Sequence, residues 1–118
     1  MGHNILQWNC RGLRSNRENL ELLMNEHTPL AICLQETRLG LAIKPSFKYY
    51  STYYTNTESG HGGVALLVKN TFVHSSIPLS TNLEAVAACI TISDKSYTVC
   101  SLYIESESEP VYSAEYDT

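Results

Sequence analysis

The sequence predicts an α/β fold that opens as a β-α-β unit and continues as mainly antiparallel strands. Two patterns carry that expectation. Short apolar runs at residues 5–8 and 30–34 flank one segment of helical period, and every apolar run after Gly40 is of β type and bounded by turn residues. The length of 118 residues fits one domain and is too short for a multidomain enzyme. Apolar residues make up 43% of the chain and charged residues 17%, which supplies a core rather than the polar excess of disorder. About two-thirds of the surface can be buried, provided the strands find all their sheet partners.

The first run, Ile5-Leu6-Gln7-Trp8, gives way to Asn9-Cys10-Arg11-Gly12, with Gly12 marking a turn and Asn9 at the strand exit. Ser15-Asn16-Arg17-Glu18 has the form of a capping box. Leu20, Leu23, Met24 and His27 follow at helical spacing until Pro29, so this stretch reads as a short amphipathic helix. Leu30-Ala31-Ile32-Cys33-Leu34 is continuous and of strand length, the pattern of a strand covered on both faces, and it delivers Glu36 at its end. A crossover of this kind makes the two strands parallel and brings both exits, Asn9 and Glu36, to one edge of the sheet.

Further strand segments are expected at residues 47–50 with Tyr53 and Tyr54, then at 64–68, 73–77, 85–92 and 97–104. Gly60-His61-Gly62-Gly63, Lys69-Asn70 and Ser93-Asp94-Lys95-Ser96 separate them, and such short connections favour antiparallel neighbours. Residues 105–118 carry Glu105, Glu107, Glu109, Glu115 and Asp117 without a base and lack apolar periodicity, so they are expected to form a solvated, disordered tail. The chain thus divides into 1–104 and 105–118.

The formal charge of −4 comes from that tail, because residues 1–104 hold eight bases against seven acids, a net of +1. Arg11, Arg14, Arg17, Arg38, Lys44 and Lys48 fall in the first half, enough for a modest phosphate-facing patch or for ordinary surface charge. No apolar run approaches the ~20 residues of a membrane span, and Met1-Gly2-His3-Asn4 lacks the features of a signal peptide. The expected setting is intracellular, with no membrane partner. Cys10, Cys33, Cys89 and Cys100 show no C-x-x-C spacing, and the last three lie in apolar runs, where reduced cysteine serves as a small hydrophobe.

Three residues are candidates for chemistry, and each has an ordinary alternative when taken singly. Glu36, a carboxylate at the end of a buried strand, suits a hard cation such as Mg2+, or is simply ion-paired. Asn9 offers a donor and an acceptor to a phosphate or a metal-bound group, or merely forms the turn. Tyr103 closes the last strand-like run, where a phenol can donate to a phosphoryl oxygen or pack as a strand aromatic. No histidine has metal-ligand spacing, and Gly60-His61-Gly62-Gly63 precedes a strand rather than the helix that a nucleotide-binding loop requires.

Ile5-Leu6-Gln7-Trp8-Asn9-Cys10-Arg11-Gly12-Leu13, Leu30-Ala31-Ile32-Cys33-Leu34-Gln35-Glu36-Thr37, Gly62-Gly63-Val64-Ala65-Leu66-Leu67-Val68 and Cys100-Ser101-Leu102-Tyr103-Ile104 occur in that order. Together they resemble the apurinic-endonuclease-like endonuclease domain of jockey-type non-LTR retrotransposons, within the endonuclease/exonuclease/phosphatase superfamily. The resemblance covers about residues 4–104 and corresponds to the N-terminal half of such a domain, a DNase I-like four-layer α/β sandwich that cleaves DNA phosphodiesters with Mg2+ or Mn2+. It implies that Asn9 and Tyr103 match active-site positions and that Glu36 matches the metal-binding glutamate.

In the family, the tyrosine is followed by proline and later by Gly-Asp-x-Asn and Ser-Asp-His segments that supply the proton acceptor and position the nucleophile. Neither segment occurs in this sequence, and Tyr103 is followed by Ile104-Glu105-Ser106. The resemblance therefore implies a truncated retroelement endonuclease, nuclear if it acts as one, without efficient nicking by itself. It also implies an incomplete sandwich in which an inner apolar face lacks its cover. Two further readings stand beside it: a non-catalytic nucleic-acid-binding module using Arg11, Arg14 and Arg38, and, ranked last, a phosphoesterase for a small phosphate ester.

Overall fold

The computed structural model describes residues 3–104 and, as backbone, 111–117. Strand β1 (Ile5–Asn9) leads through helix α1 (Arg17–His27) to β2 (Ala31–Gln35), followed by β3 (Tyr50–Thr55), β4 (Val64–Lys69), β5 (Val73–Ile77), β6 (Glu84–Ile92), β7 (Lys95–Ile104) and β8 (Val111–Asp117). Two four-stranded sheets result. Sheet A has the order β1-β2-β4-β3 and sheet B the order β5-β6-β7-β8.

The expected β-α-β unit is present. β1 and β2 pair in parallel with Ile5 opposite Ala31 and Asn9 opposite Gln35, while α1 supplies the crossover. α1 buries Leu20 and Met24, leaves His27 exposed, and ends where the left-handed Thr28 returns its amide to the Met24 carbonyl at 2.9 Å. Burying Leu20 alone contributes about 1.5–3 kcal/mol. The capping box does not form: Asn16, rather than Ser15, occupies the N-cap and makes no side-chain cap bond. Its amide is spent on the Cys10 carbonyl at 2.7 Å and the Gly12 carbonyl at 3.2 Å, so the helix start is tied to the exit of β1.

Every residue of β2 is buried, as a strand flanked by β1 and β4 and covered on both faces must be. On one face Ile32 and Leu34 join Leu13, Leu20, Met24, Leu39, Phe47 and Leu67 in a core under α1. On the other, Ala31 and Cys33 join Leu66, Val68, Ala88, Ile90 and Val99 between the two sheets. The inner face of sheet A is thus covered by sheet B of the same chain, which corrects the expectation of a missing inner cover. The layers are α1, sheet A and sheet B, and among the described residues no helix lies on the outer face of sheet B.

Three further departures have local causes. Phe47 and Lys48 are not in a strand, because Tyr49, with φ of 72°, turns the chain so that Phe47 bridges only to Tyr50. The short connection after Lys69 makes no hairpin, since β4 and β5 belong to different sheets and Phe72 packs in the core between them. The expected disordered tail fails for residues 111–117, which pair antiparallel with β7 from Val111 opposite Ile104 to Asp117 opposite Thr98. Val111, Tyr112 and Tyr116 are good strand residues, and the free edge of β7 offers them a ladder. The rest of that expectation, residues 105–110 and residue 118, lies outside the described residues.

A polar seam crosses the interface of the sheets. Gln7 Nε2 donates to Gln35 Oε1 at 3.0 Å, Gln35 Nε2 donates to Ser101 Oγ at 3.2 Å, and Ser101 Oγ donates to the Leu34 carbonyl at 2.9 Å. Gln35 and Ser101 are fully buried, so each bond replaces water that is no longer accessible. Ser101→Ala strands the Gln35 amide and should destabilise the fold by about 1–3 kcal/mol, read from urea denaturation at neutral pH.

Candidate functional site

Asn9 is the last residue of β1 and Glu36 the first beyond β2, so the parallel register delivers them side by side. Asn9 Nδ2 donates to Glu36 Oε2 at 2.7 Å, and Arg38 Nη2 meets Glu36 Oε1 at 3.1 Å. Glu36 is 16% exposed in its side chain and Arg38 50%, so the carboxylate sits at the floor of the site and the guanidinium at its rim. Asn9 Oδ1 is buried and lacks a hydrogen-bond partner, as is Thr37 Oγ1 one residue beyond Glu36.

Arg11, Glu36 and Arg38 all hold left-handed backbone, with φ of 48°, 53° and 55°. That conformation costs a non-glycine residue about 1–2 kcal/mol and persists only where surrounding contacts impose it. Here the contacts are backbone bonds on both sides. Cys10 N donates to the Gln35 carbonyl at 3.1 Å, Gly12 N to that of Glu36 at 2.8 Å, and Leu13 N to that of Thr37 at 3.0 Å. From the other side, Thr37 N donates to the Gly63 carbonyl at 3.2 Å and Arg38 N to that of Gly62 at 2.8 Å.

Tyr103 reaches the same end of the molecule by register. Cys33 Sγ meets the Cys100 carbonyl at 3.8 Å and Ser101 Oγ bonds the Leu34 carbonyl, so β7 runs alongside β2 in the same sense. Tyr103, two residues beyond Ser101 on the same strand face, is 9% exposed and lies towards the Glu36 end. Of the three sequence candidates, the structure joins Asn9 and Glu36 directly and Tyr103 through strand geometry. Arg38 joins them as the cationic partner of Glu36.

Glu84 did not stand out in the sequence, yet its carboxylate contacts Gly62 and Gly63 on the far side of Thr37 and Arg38. Ser93 and Asp94 both have positive φ and form the two-residue loop between Ile92 and Lys95, a register that sets Glu84 opposite Tyr103.

Chain comparisons bear on this site. The model of the endonuclease/exonuclease/phosphatase family matches residues 6–114. The chain belongs to that family. It is 29% identical over 101 residues to the RNA-directed DNA polymerase from mobile element jockey of Drosophila melanogaster, covering 82% of this chain and 11% of that protein. The endonuclease domain of TRAS1, a telomere-specific non-LTR retrotransposon, superposes with a TM-score of 0.69 at 20% identity, over 87% of this chain and 46% of that one. An AP endonuclease from Leishmania major gives 0.63 at 18% identity over 75% and 35%, and a Neisseria 3′ phosphatase bound to a product DNA hairpin gives 0.61 at 16% over 80% and 39%. The chain therefore spans less than half of each of these relatives and has the partial DNase I-like fold of the family.

Members of this endonuclease/exonuclease/phosphatase family are typically divalent-metal dependent. A carboxylate and a buried, unpartnered amide oxygen lie next to each other, both oxygen donors of the kind a hard cation takes, while among the described residues no group of three or more His, Cys, Asp or Glu side chains is gathered to hold a metal. No helix among the described residues is long and apolar enough to cross a membrane.

Cys10, Cys33, Cys89 and Cys100 form no disulfide among the described residues. Burial pushes the Cys10 thiol from 9.0 up to about 11, with the Gly12 amide partly opposing it, and pushes Cys33 up to about 12 with Cys100 adding to the effect. Cys10 Sγ donates to the Gln35 and Glu36 carbonyls at 3.5 and 3.7 Å, so it braces the strand exit as a neutral thiol. A thiol whose folded value is raised contributes stability that is present below the unfolded value and lost as pH rises towards the folded one. Urea-denaturation midpoints should therefore fall between pH 9 and pH 11, and Cys10→Ala should flatten that fall.

Proposed function

We propose that this chain supplies the metal-binding half of a DNA phosphodiester-cleaving site of the retrotransposon endonuclease type. The observation that carries the reading is the 2.7 Å bond between Asn9 and Glu36 at the exits of two parallel strands, with Asn9 Oδ1 left as a buried acceptor. Glu36 is the residue that would hold Mg2+ or Mn2+. Asn9 fixes the carboxylate through its amide N–H and offers Oδ1 to a water or another donor. Arg38 offsets the carboxylate charge and presents N–H groups at the rim, while the Tyr103 phenol is assigned to a phosphoryl oxygen. When bound, the cation stabilises negative charge on the phosphoryl and leaving oxygens.

Efficient hydrolysis also needs a proton acceptor that positions the attacking water. The family segments that supply it, Gly-Asp-x-Asn and Ser-Asp-His, do not occur in this sequence. A cation held by one carboxylate and water binds weakly and lacks the geometry for in-line displacement. Residues 1–118 are therefore assigned an ancestral nicking site without efficient turnover of their own. Purified chain incubated with supercoiled DNA and Mg2+ should leave nicking at the background rate, while Mn2+ binding, followed by the free-ion paramagnetic resonance signal, should be lost in Glu36→Ala. Nicking that Glu36→Ala abolishes would overturn the inactivity and keep the site.

The exposed Arg11, Arg14 and Arg38 favour a second reading, non-catalytic DNA binding. It expects affinity that survives Glu36→Ala and whose logarithm falls linearly with the logarithm of salt concentration, by about 0.9 per phosphate neutralised. Fluorescence anisotropy against a charge-matched control protein measures this, and equal affinity for the control removes the reading.

A further inference from the structure

We infer that Glu84 is a positioning residue that clamps the Gly60–Gly63 loop of sheet A from sheet B and thereby holds Glu36 towards Asn9. The inference rests on the metal-site reading of Glu36 and adds to it a residue from the opposite sheet.

Glu84 is the first residue of β6, half-buried, and stands opposite Tyr103 in the β6–β7 ladder. Its Oε1 accepts from Gly63 N at 2.6 Å, a charge-assisted bond of the stronger kind. The carboxylate also lies flat against Gly62, where a Cβ would meet Oε1 at 2.5 Å and Oε2 at 3.0 Å. Among the described residues no cation pairs with Glu84, so its charge is directed at the loop backbone.

The loop is shaped to receive it. Gly62 and Gly63 have φ of 68° and 87°, a region that glycine enters without cost. A Cβ on Gly63 would stand 2.6 Å from Thr37 Oγ1, so the absence of a side chain lets the loop close on Thr37. Gly63 and Gly62 then accept from the amides of Thr37 and Arg38 through their carbonyls. The chain of contacts runs from the Glu84 carboxylate through the Gly63 amide, the Gly62 and Gly63 carbonyls and the Thr37 and Arg38 amides to Glu36.

Each link is short and directional, and Glu36 at its end holds a conformation it would not adopt alone. Release of the loop removes half of the backbone bonds that impose the left-handed turn at residues 36–38. The Glu36 carboxylate then loses its fixed direction towards Asn9 Nδ2. Loss of such an outer contact typically weakens metal binding by about tenfold or more.

The test uses the full chain, labelled for nuclear magnetic resonance. In Glu84→Ala the Gly63, Thr37 and Arg38 amides should exchange with solvent about tenfold faster than in the natural sequence, and the Asn9 side-chain amide should lose its hydrogen-bonded shift. The Leu66 amide, deep in β4, should stay within about twofold and report that the fold is intact. Mn2+ should broaden the Asn9 signal at about tenfold higher concentration in Glu84→Ala. Glu84→Gln, which keeps an acceptor for Gly63 N, should restore both readouts to within about threefold.

Unchanged exchange at Gly63 and Arg38 in Glu84→Ala overturns the clamp whatever the metal result. So does a Leu66 amide that accelerates equally in both variants, because Glu84 would then act on the whole fold. Mn2+ broadening that is absent from the natural sequence, or that persists in Glu36→Ala, defeats the metal reading instead and leaves the clamp to be judged on exchange.

Discussion

The parallel pairing of β1 with β2 is the constraint on which the rest of this structure depends. Because Asn9 stands opposite Gln35, the next residue beyond β2 must emerge beside Asn9, and the Asn9–Glu36 bond follows. A slip of one residue would turn Gln7 and Gln35 away from sheet B and move Leu6, Trp8, Ile32 and Leu34 out of the core under α1. The hydrophobic cost of that slip is what protects the site geometry, since it involves several large side chains while the single charge-assisted bond contributes only about 1.5–3 kcal/mol. Position at the site is enforced by packing at a distance from it.

The second sheet does two things at once. It covers the apolar inner face of sheet A, through Ala88, Ile90 and Val99, and it brings Ser101, Tyr103 and Glu84 to the end where β2 stops. The site is consequently a property of the junction of the sheets rather than of either one. Its left-handed residues are held by backbone bonds from residues 10–13 on one side and from the Gly62–Gly63 pair on the other.

Much of this was legible in the residues. The β-α-β unit could be read because residues 30–34 are continuously apolar and α1 repeats Leu20 and Met24 at the spacing of one helical turn. The parallel pairing that such a crossover imposes then brought the exits Asn9 and Glu36 to one edge of the sheet. At the start of α1 the local pattern favours a cap at Ser15, but the amide of Asn16 is engaged by the carbonyls of residues 10–12, a tertiary demand that overrides it. Residues 111–117 depart from the pattern for a related reason: their charge favours a solvated tail, and the edge of β7 offers a ladder that outweighs it. Glu84 is not legible in the sequence because its partner is a glycine amide, which no spacing rule reports.

The order of strands in the two sheets also sets how they come together. Sheet B is a meander in which every neighbour is the next strand in sequence, so its pairings close short loops. Sheet A instead joins β2 to β4 around β3, and β1 to β2 around a helix, and loops of that length carry a larger entropic cost before any contact offsets it. By this reasoning the meander forms early and gives the slower sheet a surface to settle on. The junction that carries Glu36, Tyr103 and Glu84 is then completed last in folding, because it requires both sheets to be in place.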